Sequence, residues 1–73
     1  MKWKRGGTTN QWLLYQHGGN IVGIVQIDLD TLIVHGYVRL LGSPTKWQLV
    51  VESAEQNFER VKQQVEMYAA LES

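Results

Sequence analysis

The chain has 73 residues, of which 44% are hydrophobic, with no cysteine and a formal net charge of zero at pH 7. This length predicts one domain with a small core, and the absence of cysteine excludes disulfides and cysteine-ligated metals. The balanced charge disfavours a non-specific nucleic-acid binder, which is normally basic. Neither a signal-peptide pattern nor an apolar stretch of about 18 residues occurs, so we expect a cytoplasmic protein without a membrane partner.

The first ten residues have the composition of a flexible basic arm. Lys2, Lys4 and Arg5 supply the charge, and a glycine pair followed by small polar residues favours flexibility. We therefore predict an arm over residues 1–10 and a single ββββα domain over residues 11–73.

Four segments are rich in the β-branched and aromatic residues that favour strands. They are residues 11–17, 21–29, 32–41 and 46–52. The turns between them contain a Gly-Gly pair, an Asp-Leu-Asp-Thr stretch and a Gly-Ser-Pro-Thr stretch, all typical of tight connections. This pattern predicts a four-stranded antiparallel meander in the order 1-2-3-4.

One amphipathic helix is predicted after the strands, from residue 54 to residue 71. Ser53 and Gln56 have the spacing of a capping box, which would place the helix start at Ser53. Its apolar stripe is predicted to contain Ala54, Phe58, Val61, Val65, Tyr68 and Ala69. The predicted fold class is therefore α+β, with one C-terminal α-helix packed on one face of the sheet.

Strand parity divides the predicted sheet into an apolar face and a mixed face. The apolar face, expected under the helix, carries Trp12, Leu14, Ile21, Val25, Ile27, Leu29, Leu32, Val34, Val38, Leu40, Trp47, Leu49 and Val51. Gly23 and Gly36 leave gaps on that face, which a tryptophan or the helix can fill. The mixed face carries Leu13, Tyr15, His17, Val22, Ile24, Gln26, Asp28, Ile33, His35, Tyr37, Arg39, Leu41, Lys46, Gln48, Val50 and Glu52.

The mixed face carries more apolar surface than a monomer normally exposes. The predicted interaction face on it consists of Tyr15, Val22, Ile24, Ile33, His35, Tyr37 and Arg39. Tyrosine and arginine are enriched in protein interfaces, especially among the residues that dominate binding. We therefore expect a non-enzymatic protein–protein interaction module that binds another protein or itself, as a homodimer.

Nucleic-acid binding is the alternative function. The candidate contacts are Lys2, Lys4, Arg5, Arg39 and Lys46. A three-stranded sheet with one C-terminal helix resembles the AP2-type domains and the arm-binding domains of phage integrases, which implies DNA recognition by the sheet face opposite the helix. Asp28 and Glu52 on the same predicted face would repel phosphate.

No catalytic, cofactor or metal site is predicted. His17 and His35 lack the close spacing of a zinc site. Ser43 lies in a predicted turn and Ser53 at a predicted helix cap, and neither has the Gly-x-Ser-x-Gly context of a nucleophile. We therefore expect a protein that is not an enzyme.

The layout resembles small proteins encoded by phages and prophages. The shared features are a tryptophan-bearing first strand, a Gly-Gly hairpin leading into GNIVGIV, a later KWQLVVES and a helix with the sequence AEQNFERVKQQVE. The resemblance implies a host-directed binding protein, such as an inhibitor or regulator of a host enzyme or defence complex.

Overall fold

The computed structural model describes residues 1–7, 10–40 and 46–72. They form a five-stranded antiparallel sheet in the order β1-β2-β3-β4-β5, followed by a helix that packs on β3, β4 and β5. The elements are β1 Lys2–Arg5, β2 Gln11–Tyr15, β3 Ile21–Ile27, β4 Ile33–Arg39, β5 Trp47–Ala54, a 3-10 turn Glu55–Asn57 and α1 Phe58–Glu72. The predicted α+β fold with an antiparallel sheet and a C-terminal helix is confirmed, whereas the predicted turn at residues 42–45 lies outside the described residues.

The predicted number of four strands is wrong, because the N-terminal segment contributes a fifth. Lys2–Arg5 pairs antiparallel with β2, and Trp3 lies opposite Leu14. The Trp3 ring packs against the core, and its indole N–H donates to the Glu66 carboxylate on α1. A single anchored aromatic therefore fixes this segment, and the sheet begins at Lys2 rather than at Gln11.

The core lies between α1 and the facing side of the sheet. Its buried members are Leu14, Val22, Val25, Val34, Val38, Val61, Val65 and Ala69. Every sheet residue in this group except Val22 was predicted to face the helix. Leu29 and Leu32 were also predicted there, but they are 66% and 50% exposed because they lie in the turn beyond the ends of β3 and β4.

The helix packs closely on the sheet because two strand glycines lie beneath it. A Cβ on Gly23 would come within 2.6 Å of Val65 Cγ1. A Cβ on Gly36 would lie 2.6 Å from Val65 Cγ2 and 2.6 Å from Val51 Cγ1. The gaps expected at both glycines are therefore filled by the helix, chiefly by one valine side chain.

The helix begins later than predicted. β5 continues to Ala54, so Ser53 lies in the strand and the capping box is not formed. The Ser53 hydroxyl instead accepts a hydrogen bond from the Asn57 side-chain amide at 2.8 Å. Tyr68, predicted on the buried stripe, is 40% exposed.

The register contains two irregularities, and both change which residues face solvent. In β3, Val22 is an extra residue between the pairs Leu14–Gly23 and Tyr15–Ile21. In β5, the neighbours Gly36 and Tyr37 of β4 pair with Val51 and Leu49, so one extra residue lies between these two partners. Such a bulge reverses the alternation of the strand beyond it.

Candidate protein-interaction face

The side of the sheet opposite α1, which we call the outer face, is crossed by one row of directly paired residues. The row consists of Lys4, Leu13, Ile24, Tyr37 and Leu49, each opposite the next on the neighbouring strand. Cross-strand neighbours of this kind lie about 5 Å apart, so their side chains form a continuous surface. Four of the five are apolar or aromatic, and no element of the described residues packs over them.

The bulge in β5 adds two large side chains to the outer face. Leu49 and Trp47 were predicted to face the helix, but they pair with Tyr37 and Arg39, which lie on the outer face. Leu49 is accordingly 45% exposed. The predicted placement of Leu49 and Trp47 on the apolar face is wrong because nothing in the segment KWQLVVE marks the position of the inserted residue.

A polar row borders the apolar row on one side. Gln11 pairs with Gln26, Gln26 with His35, and His35 with Glu52. His35 Nδ1 lies 2.9 Å from Glu52 Oε2, and the His35 ring stacks on Tyr37 with ring centres 6.5 Å apart. This contact fixes the orientation of two side chains that the sequence placed in the predicted interaction face.

Charge is distributed unevenly across the outer face. Lys2 and Lys4 lie on the β1 edge, where the Lys4 ammonium is 5.4 Å from the centre of the Tyr15 ring. Glu52 lies on the opposite edge strand and its side chain is 53% exposed. The outer face therefore carries two lysines on its β1 edge and, on β5, one carboxylate in contact with His35, with apolar residues between them.

Six of the seven residues of the predicted interaction face lie on the outer face. They are Tyr15, Ile24, Ile33, His35, Tyr37 and Arg39. Val22, the seventh, is instead buried, with 8% of its surface exposed. Val22 is the extra residue of the β3 bulge, so the regular alternation of side chains between the two faces, which predicted that it would be exposed, does not hold there. Ile21 pairs with Tyr15 instead and is half-buried.

The predicted nucleic-acid contacts do not all lie together. Lys2, Lys4 and Arg39 share the outer face. Arg5 lies opposite Trp12 on the helix side, with its guanidinium 5.2 Å from the Trp12 ring centre. Lys46 is exposed immediately before β5.

The turn between β3 and β4 is organised by one carboxylate. Asp28 Oδ1 accepts hydrogen bonds from the backbone N–H groups of Asp30, at 2.9 Å, and Thr31, at 3.4 Å. These bonds, the one from Asp30 above all, lower the pKa of Asp28 below its ordinary value of 3.8. Asp28 therefore has a structural role in the turn.

The described residues contain no cluster with the composition of a metal site. Among residues 1–7, 10–40 and 46–72, no group of three or more His, Asp or Glu side chains is placed to hold an ion. Within the same ranges, no helix has the length and apolar character needed to cross a membrane.

Comparisons of the chain with protein-family models, curated proteins and solved structures find no match.

Proposed function

We propose that the protein is a non-enzymatic interaction module that self-associates through the outer face. The observation that carries this proposal is the row Leu13, Ile24, Tyr37 and Leu49, which extends across four strands on the side without a helix. A sheet normally buries one face and presents polar residues on the other. Here both faces carry large apolar side chains.

The chemistry of the outer face supports a protein partner over a small molecule. It carries two tyrosines, a tryptophan and an arginine, the residue types that dominate binding energy in protein interfaces. Its residues form an extended surface across the strands, whereas small ligands bind in concave pockets. A partner with a flat apolar surface therefore fits it best.

The substitution Tyr37→Ala tests this proposal. Tyr37 lies in the apolar row of the outer face, between Ile24 and Leu49, so we expect its truncation to weaken self-association by about 2 kcal/mol or more, the level of an interface hot spot. Sedimentation velocity measures the association, and circular dichroism checks that the fold is retained.

Leu71→Ala provides the matched control for this substitution. Leu71 is 77% exposed on α1, on the other side of the molecule from the outer face, and its truncation is expected to leave association unchanged. Equal sedimentation of wild type, Tyr37→Ala and Leu71→Ala would contradict the proposal.

Nucleic-acid recognition is the second candidate, because Lys2 and Lys4 in β1 join Arg39 on the outer face. An affinity for DNA or RNA that falls steeply with salt, and that is lost in the Lys2→Gln, Lys4→Gln, Arg39→Gln triple variant, would favour it. The presence of Glu52 on the same face argues for the protein partner. The role of a phage-type inhibitor or regulator of a host protein stays a prediction.

A further inference from the structure

We propose that the β1 edge and the β2–β3 turn form a binding site for a phosphate or diphosphate group. A cavity of about 400 Å³ lies between them, at the edge of the outer face. Its lining includes Lys2, Lys4, Tyr15, His17, Gly18 and Gly19. The edge of a sheet can form a concave surface that binds an anion, and here cations line it.

Two ammonium groups reach this cavity from one strand. Lys2 and Lys4 are alternate residues of β1, so their side chains lie on the same side of the sheet, with Cα atoms about 7 Å apart. Lys2 is opposite Tyr15 in the register, and the Lys4 ammonium is 5.4 Å from the centre of the Tyr15 ring. Tyr15 therefore holds one cation beside the cavity and also contributes a hydroxyl that can donate a hydrogen bond.

No carboxylate neutralises this pair of lysines in the part of the chain that the structure describes. None lines the cavity, and neither lysine forms an ion pair with a described carboxylate. Glu66 approaches β1 from the helix side, where it accepts the indole N–H of Trp3. Glu52, on the outer face, lies four strands away on β5 and contacts His35. The positive charge at the cavity is therefore uncompensated.

The two ends of the sheet carry opposite charge although the chain as a whole is neutral. The end that holds the β2–β3 turn is also where β1 begins, β4 ends and β5 begins, and it carries Lys2, Arg39 and Lys46. The opposite end holds the β3–β4 turn, with Asp28 and Asp30. An anion therefore approaches the cavity through the positive part of the field of the protein.

The β2–β3 turn leaves room for a ligand to reach the backbone. Gly18 and Gly19 have φ values of 93° and 85°, a region that favours glycine, so no side chain covers the turn. Apart from chain neighbours, no described atom lies within 4 Å of a Cβ built on either residue. Hydrogen bonds from Gln16 N–H to Asn20 O, at 2.9 Å, and from Gly19 N–H to Gln16 O, at 3.1 Å, fix the turn. This wall of the cavity is therefore preformed, which lowers the entropy cost of binding.

The site is independent of the proposed self-association, because it lies at the edge of the sheet and is complete in one copy of the chain. Its chemistry fits the phosphate group of a phosphorylated small molecule and the backbone phosphate of a nucleic acid alike. Pyrophosphate is the probe for the shared chemistry. ADP and a short single-stranded oligonucleotide distinguish the two sources.

Titration with pyrophosphate at constant ionic strength, followed by the amide chemical shifts of the protein, tests the site. We expect saturable shifts confined to β1 and residues 15–19. The Lys2→Gln, Lys4→Gln double variant should bind about tenfold more weakly, because each lysine makes a charge-assisted contact with phosphate, whereas Lys4→Arg should retain binding. Arg60→Gln is the matched control, since it removes an exposed cation from α1, and it should bind as the wild type does. Thermal unfolding checks that each variant folds.

The two other probes identify the source of the phosphate. Tighter binding of ADP than of the oligonucleotide assigns the site to a phosphorylated small molecule, and the reverse order assigns it to a nucleic-acid backbone. In the second case, loss of each lysine should also reduce the slope of log affinity against log salt by about one.

Shifts that do not saturate, that chloride reproduces at the same ionic strength, or that persist unchanged in the double lysine variant would overturn the site. Sedimentation of the same samples reports self-association separately. A monomer that binds pyrophosphate would refute only the proposed function, and a dimer that does not bind it would refute only the phosphate site.

Discussion

Close packing of α1 on two glycines makes the inner face sensitive to a single added methyl group. In Gly23→Ala, the new Cβ would lie 2.6 Å from Val65 Cγ1 and 3.3 Å from Leu14 Cβ. Overpacking of this kind costs about 1–3 kcal/mol, whereas replacing a strand glycine by alanine recovers about 0.5–1 kcal/mol of backbone entropy. We therefore expect Gly23→Ala to lower the free energy of unfolding by about 1–2 kcal/mol.

A double-mutant cycle with Val65→Ala isolates the steric origin of this loss. Val65 is fully buried, so its truncation alone should cost about 2 kcal/mol in lost burial and cavity formation. In the double variant, the alanine methyl at position 23 enters the space that Val65 vacates. The combined loss should therefore be smaller than the sum of the single losses by about 1 kcal/mol.

Urea unfolding followed by tryptophan fluorescence gives the four stabilities of the cycle. Gly7→Ala is the matched control, because no atom lies within 4 Å of its added Cβ and its stability should not decrease. Gly36→Ala should be more costly than Gly23→Ala, because its Cβ would also lie 2.6 Å from Val51 Cγ1. Additive losses for Gly23→Ala and Val65→Ala would refute the close packing described for α1.

Three further substitutions test other parts of the fold. Trp3→Ala should lower the free energy of unfolding by about 2 kcal/mol and accelerate amide hydrogen exchange along β2, because Trp3 anchors β1; unchanged exchange would contradict the fifth strand. Leu32 has a φ of 59°, a left-handed conformation that is costly for leucine but not for glycine, so Leu32→Gly should raise the free energy of unfolding by about 0.5 kcal/mol. Leu29 is an exposed turn residue without a positive φ, so Leu29→Gly should lower the free energy of unfolding, and calorimetry measures both changes. The pKa of Asp28 is lowered in the folded protein, so its carboxylate stabilises the fold above the unfolded-state pKa, and this stabilisation is lost as the pH falls through the folded-state pKa. Below about pH 4, the melting temperature of Asp28→Asn should therefore decline less than that of the wild type. Equal declines in the two proteins would count against the turn described here.

The sequence predicted the faces of the central strands well because the signals for those strands, short turns and alternating side chains, are local and periodic. Short turns and the alternation of side chains assigned Leu14, Val25, Val34 and Val38 to the side under the helix, and all four are buried there. Likewise, the helical spacing of Val61 and Val65 identified the buried side of α1.

The fifth strand and the two bulges were not predictable by the same reasoning. The segment Lys2–Arg5 is short and mostly charged, and only Trp3 distinguishes it from a flexible arm. Its place in the sheet depends on the contact with Glu66, which is distant in sequence. A bulge changes the register by one residue without a marker in composition, so Leu49 was assigned to the wrong face although Val51, two residues further along the strand, was assigned to the correct one.

Sedimentation equilibrium of the wild-type chain over a wide concentration range, at low and at high salt, tests self-association through the outer face most directly. The predicted result is a dimer with twice the 8.4 kDa chain mass that persists at high salt, because apolar contacts dominate the row from Leu13 to Leu49. A mass of 8.4 kDa at every concentration and in both salts would contradict the proposal.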